Sequence, residues 1–203
     1  MALLYSLTSR LNYIVYNTMC ILAVCGLLSH LQVRFGHFIG LRDGPLGVPF
    51  ESIKFDIVEI DQFLSDRYFK EEALSFVFNM DVDLTPVMNW NTHTIFASLV
   101  CEYSTATAPF NSVTVWDQRV MRSAKELHHI SLSGEHVEYY LTDINKELKG
   151  TEVKVYFRFE HMSTIGSYYA DQYLLGSFVG PAKYSGNSKR QFTPGPQNRA
   201  LNY

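Results

Sequence analysis

From residue 51 to about residue 180 the apolar positions recur with a period of two. Leu74, Phe76, Phe78, Met80, Val82 and Leu84 alternate with Asn79, Asp81 and Asp83. Val153, Val155, Phe157 and Phe159 alternate with Glu152, Lys154, Arg158 and Glu160. Such alternation places one face in a core and the other in water, so both runs predict half-buried antiparallel strands. Ile95, Ala97, Leu99, Cys101 and Tyr103 share one face of a third run, with Phe96, Ser98, Val100 and Glu102 on the other. Weaker runs at 53–60, 112–120, 135–141 and within 173–180 predict further strands. Turn signals fall at Lys149-Gly150 and at the ATAP of 106–109. A short helix over 66–73 is the one helical candidate here, and a loop serves there equally well. Many strands with almost no helix predict a mainly β chain folded as an antiparallel β-sandwich.

The first fifty residues obey no such period. Between Arg10 and Arg34 lie 23 residues without Asp, Glu, Lys or Arg. As a helix they would cross about 30 Å of hydrocarbon. Tyr13 and Tyr16 suit the interfacial belt, and Asn17, in mid-span, favours a polar partner on a neighbouring helix. Three readings fit the run: a buried helix of a soluble fold, a signal peptide cleaved after Cys25, or a retained anchor. The charge-free length exceeds the usual signal core and favours the anchor. Flanking charge sets no orientation, since Arg10 lies on one side and Arg34 and Arg42, with Asp43, on the other. The glycines and prolines of 34–50 then read as a linker.

Composition sharpens this picture. Charged residues make up 18% of the 203, below the usual quarter, as expected when part of a chain lies in lipid. The net charge is −3, yet from Lys183 onward there are four basic residues and no acid. The body is therefore acidic, which argues against a nucleic-acid surface. The stretch from 181 to 203 is polar, basic and rich in Gly and Pro, and predicts a disordered tail. The expected division is a short N-terminus at 1–10, a membrane anchor at 11–33, a linker at 34–50, a β-sandwich at 51–180 and a flexible basic tail at 181–203.

Cys20 and Cys25 fall in the apolar run, leaving Cys101 alone in the sandwich on an apolar strand face, where a thiolate is disfavoured. His128, His129 and His136, with Glu126, Glu135 and Glu138, form the densest ligand-type cluster. A hairpin around Ser133-Gly134 could bring His129 and His136 together. The spacing matches no zinc motif, so no metal or cofactor is expected. Asp81 and Asp83 read as a solvated strand edge. No G-x-S-x-G, GxGxxG or P-loop occurs, so no catalytic residue is assigned.

WNTHTIFASLVCEYST (90–105), followed by NSVTVWDQRVMR (111–122), resembles the signature region of the signal peptidase complex subunit 3 family. The residues that carry the resemblance are Trp90-Asn91, Glu102-Tyr103-Ser104-Thr105, Asn111 and Val115-Trp116-Asp117, with Asp81 and Asp83 upstream. Its specific part covers 78–122 and its architecture roughly 5–180; 124–149 and the tail depart from the family pattern. The resemblance implies a single-pass type II protein of the endoplasmic reticulum membrane, with a cytosolic N-terminus and a luminal β-domain. It implies a non-catalytic accessory subunit, whose partners are the catalytic subunit, other small membrane subunits and the bilayer. Signal-peptide precursors would be met only indirectly. The alternative is a membrane-tethered or secreted β-sandwich binding module unrelated to proteolysis.

Overall fold

The computed structural model describes residues 2–35, 53–65, 71–166 and 168–185. Helix α1 spans Ala2–Phe35. Eight strands follow: β1 (Lys54–Ser65), β2 (Glu72–Asp83), β3 (Thr92–Tyr103), β4 (Asn111–Met121), β5 (His129–His136), β6 (Leu141–Asp143), β7 (Glu152–Ser163) and β8 (Tyr169–Val179). One sheet runs β1-β2-β5, with β6 continuing the β5 edge of β2; the other runs β4-β3-β7-β8, and every pairing is antiparallel.

The alternation in the sequence becomes the core. Leu74, Phe76, Phe78, Met80, Val82 and Leu84 are buried from the first sheet, and Ile95, Ala97, Leu99, Cys101, Val153, Val155, Phe157 and Phe159 from the second. Aromatic edges lock the sheets together: Phe76 meets Phe178 at 5.5 Å and Phe78 meets Trp116 at 6.4 Å between ring centroids. Such edge-to-face contacts add to the burial of the rings themselves. One face of the sandwich is more enclosed than alternation implies, because Ser98 and Val100 on the outward side of β3 are also buried.

Helix α1 stands outside this core. Its stretch Ser6–Leu31 is long and apolar enough to cross a membrane, and at 1.5 Å per residue it extends about 39 Å. Most of its described side chains are bare, with Ile14 at 62% and Met19 at 65% exposure. A helix in a soluble core would bury that face, so this reading of the run fails.

Five local expectations change. Glu72 and Ala73, placed in a possible helix over 66–73, belong to β2, opposite Asp143 and Thr142; residues 66–70 lie outside the described residues. The run 135–141 is not one strand. It holds the end of β5, a crossing and the first residue of β6. Ser133-Gly134 is not a hairpin turn but a bulge within β5. Residues 133 and 134 together oppose Asn79, Gly134 takes φ +63°, and its N–H donates to Asn79 Oδ1 at 2.7 Å. Strand β5 escaped the periodicity because a bulge breaks the alternation and its only apolar side chains are Ile130 and Leu132. The linker expected at 34–50 begins within α1, at Arg34 and Phe35, and the rest lies outside the described residues. The tail expected from 181 first returns to the body, where Ser185 pairs with Phe63; 186–203 lie outside the described residues.

Candidate functional site

The short links from β2 to β3 and from β4 to β5, together with the start of β8, gather at one end of the sandwich, beside α1. Asn91 makes the junction there. Its buried amide donates to Ser29 Oγ on the helix at 2.7 Å and to the Ile165 carbonyl at 2.6 Å. Asn91 Oδ1 accepts the Ile165 N–H at 3.0 Å, and the Asn91 carbonyl accepts the Thr164 N–H at 2.7 Å. Only an amide can donate and accept in this way at one position. The helix surface at the contact is small, Gly26 and Ser29, and it meets Gly166, whose φ of +95° suits glycine. Ser29 lies two residues before the end of the apolar stretch, so this end of the sandwich is held at the last turn of the span.

A cleft of about 710 Å³ opens next to the junction, lined by Thr85, Met88, Asn89, Trp90, Arg122, Ser123, Lys125 and His128. Trp90 is 52% exposed, although it neighbours the buried Asn91. Arg122 donates from Nη1 to the Trp90 carbonyl at 3.0 Å. His128 is buried; one ring nitrogen sits 3.3 Å from the Met121 carbonyl, and its own carbonyl accepts from Leu84 N at 2.8 Å. No carboxylate lines the cleft.

The opposite end is closed. Glu72 and Asp143 are buried and face each other across the β2–β6 pair. Glu72 accepts the Leu148 N–H at 2.9 Å and the Tyr184 hydroxyl. Asp143 accepts the Glu147 N–H at 2.7 Å and the Tyr103 hydroxyl at 3.2 Å. Burial, with Asp143 alongside, holds the Tyr103 phenol above its ordinary value. Tyr184 packs on Phe63 at 5.0 Å and receives Lys149 Nζ 3.6 Å from its ring centre. Each of these carboxylates is tied to two donors, which is what burying one requires.

The reactive-looking side chains are placed as follows. Cys101 is fully buried, and burial pushes its thiol up to about 12, so it is no nucleophile at neutral pH. The three histidines of the 128–136 segment do not converge. His129 meets Asp81, and His136 lies 3.8 Å from Asp61. Among the described residues no group of His, Cys, Asp and Glu is arranged to hold a metal. Asp81 is not at a sheet edge, since β2 is central. It pairs with His129 and Lys54, and the bond from His129 lowers its carboxyl below the usual value. Asp83 caps Thr85 N at 2.9 Å and is likewise lowered by Thr85. The two nitrogens of buried His161 face Thr92 Oγ1 at 2.7 Å and Ser163 Oγ at 3.4 Å. Its ring stacks on Tyr169 at 4.5 Å. This Ser–His pair was not legible in the chain. Its histidine is buried and its serine half buried, and neither lines the cleft.

The signature residues spread along one sheet. Trp90 and Asn91 form the helix-end junction and cleft. Glu102 lies opposite Lys154, half buried. The single Tyr103 hydroxyl proton is shared between the Thr142 carbonyl at 2.9 Å and Asp143 at 3.2 Å. Ser104 is exposed. Thr105 closes the β3–β4 turn against Ala108 at 2.9 Å, and Asn111 Nδ2 donates to the Ala108 carbonyl at 3.1 Å. Val115 and Trp116 are both buried because a bulge at Val115 breaks the β3–β4 register. The Val115 carbonyl accepts from Glu138 N at 2.8 Å and Tyr139 N at 2.9 Å. Asp117, half buried on β4, helps raise the phenol of Tyr139, whose main cause is burial. Asn17 lies partly covered in mid-span. Ser29, Ile165, Arg122, Lys125, Glu72 and Asp143 were not singled out from the chain; their roles depend on partners far away in sequence.

A family model described as "Signal peptidase subunit" matches residues 4–179, from the apolar helix through β8. A relative named signal peptidase complex subunit 3 in Yarrowia lipolytica is 30% identical over 98 residues, covering 48% of this chain and 52% of the relative. One of the same name in Dictyostelium discoideum is 28% identical, covering 62% of this chain and 71% of the relative. The Mus musculus protein named adipocyte-related X-chromosome expressed sequence 1 is 27% identical, covering 71% of this chain and 76% of the relative. The chain thus spans about half of the yeast relative and about three quarters of the mouse one.

Proposed function

Since the chain belongs to the signal peptidase subunit family, we propose that it is a non-catalytic accessory subunit of the endoplasmic reticulum signal peptidase complex. It is a subunit of a membrane assembly that removes signal peptides from secretory and membrane precursors. The proteolytic serine site resides on a separate catalytic chain, and this chain meets precursors only through that partner. In this reading residues 1–10 face the cytosol, 11–33 form a retained signal-anchor, and the sandwich, which residues 181–185 rejoin, is luminal.

The observation that carries this reading is the clasp between Asn91, Ser29 and Ile165. A sandwich fastened to the last turn of an apolar helix is held at a set height above the bilayer. It can brace a neighbouring catalytic domain at that height. Preorganised positioning of this kind is how a supporting chain raises another chain's activity. The helix adds to a bundle in which Asn17 seeks a polar neighbour, and the bundle's local bilayer thickness favours short apolar segments over long anchors. The burial of Cys101 and of the His161 ring is consistent with chemistry performed elsewhere. The family match, which begins at residue 4, supports a retained helix rather than a cleaved one.

The test is recovery of partners. A C-terminal tag, gentle solubilisation and identification of co-purifying chains should yield a small serine-type signal peptidase subunit, and depletion should accumulate uncleaved precursors. Asn17→Leu should lower that recovery while leaving the sandwich folded. Consistent absence of such a partner, with normal precursor processing on depletion, would overturn the assignment. A mature chain beginning after Cys25 would overturn the anchor and favour a secreted binding module.

A further inference from the structure

We propose that the cleft bounded by Trp90, Arg122, Lys125 and His128 is a binding site for the phosphate of an anionic lipid headgroup, and so fixes the sandwich on the bilayer surface. The inference rests on the reading of α1 as a membrane span.

Four observations converge. The cleft, about 710 Å³, has the size of a small-ligand site. It is lined by two permanent cations and a histidine, with no carboxylate among the lining residues. That is unusual on an acidic body and gives a local field of the opposite sign. Among the described residues neither Arg122 nor Lys125 is in an ion pair. Arg122 spends Nη1 on the Trp90 carbonyl, which fixes the guanidinium while leaving its other donors for a phosphate. Finally, Trp90 stays 52% exposed one residue from the Asn91–Ser29 clasp, and so lies at the end of the apolar span. An exposed indole at that depth is placed where tryptophan rings lie among headgroups.

Met121, Leu127, Met162 and Tyr168, on or beside the β4, β7 and β8 ends that meet at this end of the sandwich, are at least 36% exposed. Met88 and Trp90 beside the cations in the cleft lining match a lipid, whose phosphate sits beside its acyl chains. They match free phosphate poorly, because it offers nothing to an indole or a thioether. The charges that face the cleft from its neighbours are few. Glu126 is exposed on the turn carrying Lys125, and Asp83 is occupied by Thr85.

The test uses the full chain in maltoside micelles, titrated with dihexanoyl phosphatidylserine, dihexanoyl phosphatidylcholine or inorganic phosphate. The readout is tryptophan fluorescence. Trp116 is buried and constant, so Trp90→Phe identifies the signal. The expected result is a saturable change with phosphatidylserine, weaker with phosphatidylcholine and absent with inorganic phosphate. In the double variant R122Q/K125Q the apparent affinity should fall about thirtyfold, roughly fivefold for each cation lost near an anionic surface. Glutamine at 122 can still donate to the Trp90 carbonyl, which protects the fold. Lys125→Gln alone, on an exposed side chain, should cost about fivefold. No saturable change, an unaltered affinity in R122Q/K125Q, or an equal response to inorganic phosphate alone would each overturn the headgroup site. Alkaline extraction of membranes tests the span separately. Release of the chain would overturn the span, whereas a failed titration with the chain still embedded would overturn only the headgroup site.

Discussion

The two ends of the sandwich treat polar side chains in opposite ways. At the far end, Glu72, Asp143, Tyr103, Tyr184 and Lys149 are spent on one another and on loop N–H groups. At the helix end, Trp90, Arg122 and Lys125 point into an open cleft with little of the chain's own to hold them. The far end is consumed by folding, whereas the helix end retains binding capacity, and it is the helix end that adjoins the apolar span. The lesson is that buried carboxylates, usually read as a sign of chemistry, here mark closure. The exposed tryptophan marks the working surface.

Substitutions should separate these roles. The largest effect is expected from Gly180→Ala at the far end. A Cβ at Gly180 would lie 2.2 Å from the Leu148 carbonyl oxygen, a backbone atom that cannot step aside. A loss of about 3 kcal/mol is expected in denaturant unfolding of the full chain. Retention of stability would show that the far end is less closed than its contacts imply. Glu72→Ala should come next, at about 2 kcal/mol, because it leaves the buried Leu148 N–H without its acceptor and frees Tyr184.

Asn91→Ala acts at the boundary between the two ends. It should lower sandwich stability by about 1 kcal/mol. It should also broaden the distance distribution between spin labels on α1 and on β7, which the far-end variants should leave narrow. Trp90→Ala should change unfolding by no more than about 0.5 kcal/mol, since the ring is half exposed and the fold does not depend on it. A larger loss would move Trp90 from the working surface into the fold.

The smallest effect is pH-dependent and touches both ends. His129 at the helix end lowers the Asp81 carboxyl, and Thr107 at the far end lowers that of Glu147. A lowered carboxyl contributes stability that is complete above the ordinary carboxylate range and is lost as pH falls through the lowered value. Unfolding midpoints should therefore hold from pH 7 to 5 and decline below about pH 4. Thr107→Val should blunt the far-end part of that decline and His129→Ala the helix-end part. At the opposite extreme, the raised Cys101 thiol contributes stability that is full below its ordinary value and fades as pH rises towards about 12. It should resist thiol reagents until the sandwich unfolds.

Much of the fold was legible along the chain. The alternation at 74–84, 95–103 and 151–160 named the buried face of β2, β3 and β7 residue by residue, because a strand turns its side chains over at every step whatever its partner. The sequence also set the apolar helix apart, since a charge-free run of this length follows no period of two. The site was legible only in part. Within 90–105 Cys101 is core, as its apolar strand face predicts, whereas His93 is exposed and Glu102 half buried. The remaining polar residues of the run hold turns and the helix clasp.

Partners, unlike faces, lay beyond the sequence. Periodicity reports which side of a strand a residue occupies, but not what lies across from it. Glu72 meets Asp143 because β6 fills the place beside β2 that β5 leaves empty. Asn91 meets Ser29 and Ile165 because the β2–β3 link and the chain following β7 arrive at the same end as the helix. Arg122 and Lys125 share a cleft with Trp90 for the same reason. The sequence by itself determined a helix long and apolar enough to cross a membrane and a two-sheet core, because both follow from local patterns of burial. Tertiary structure alone decided which polar groups were closed off and which were left open, because that depends on contacts between residues tens of positions apart.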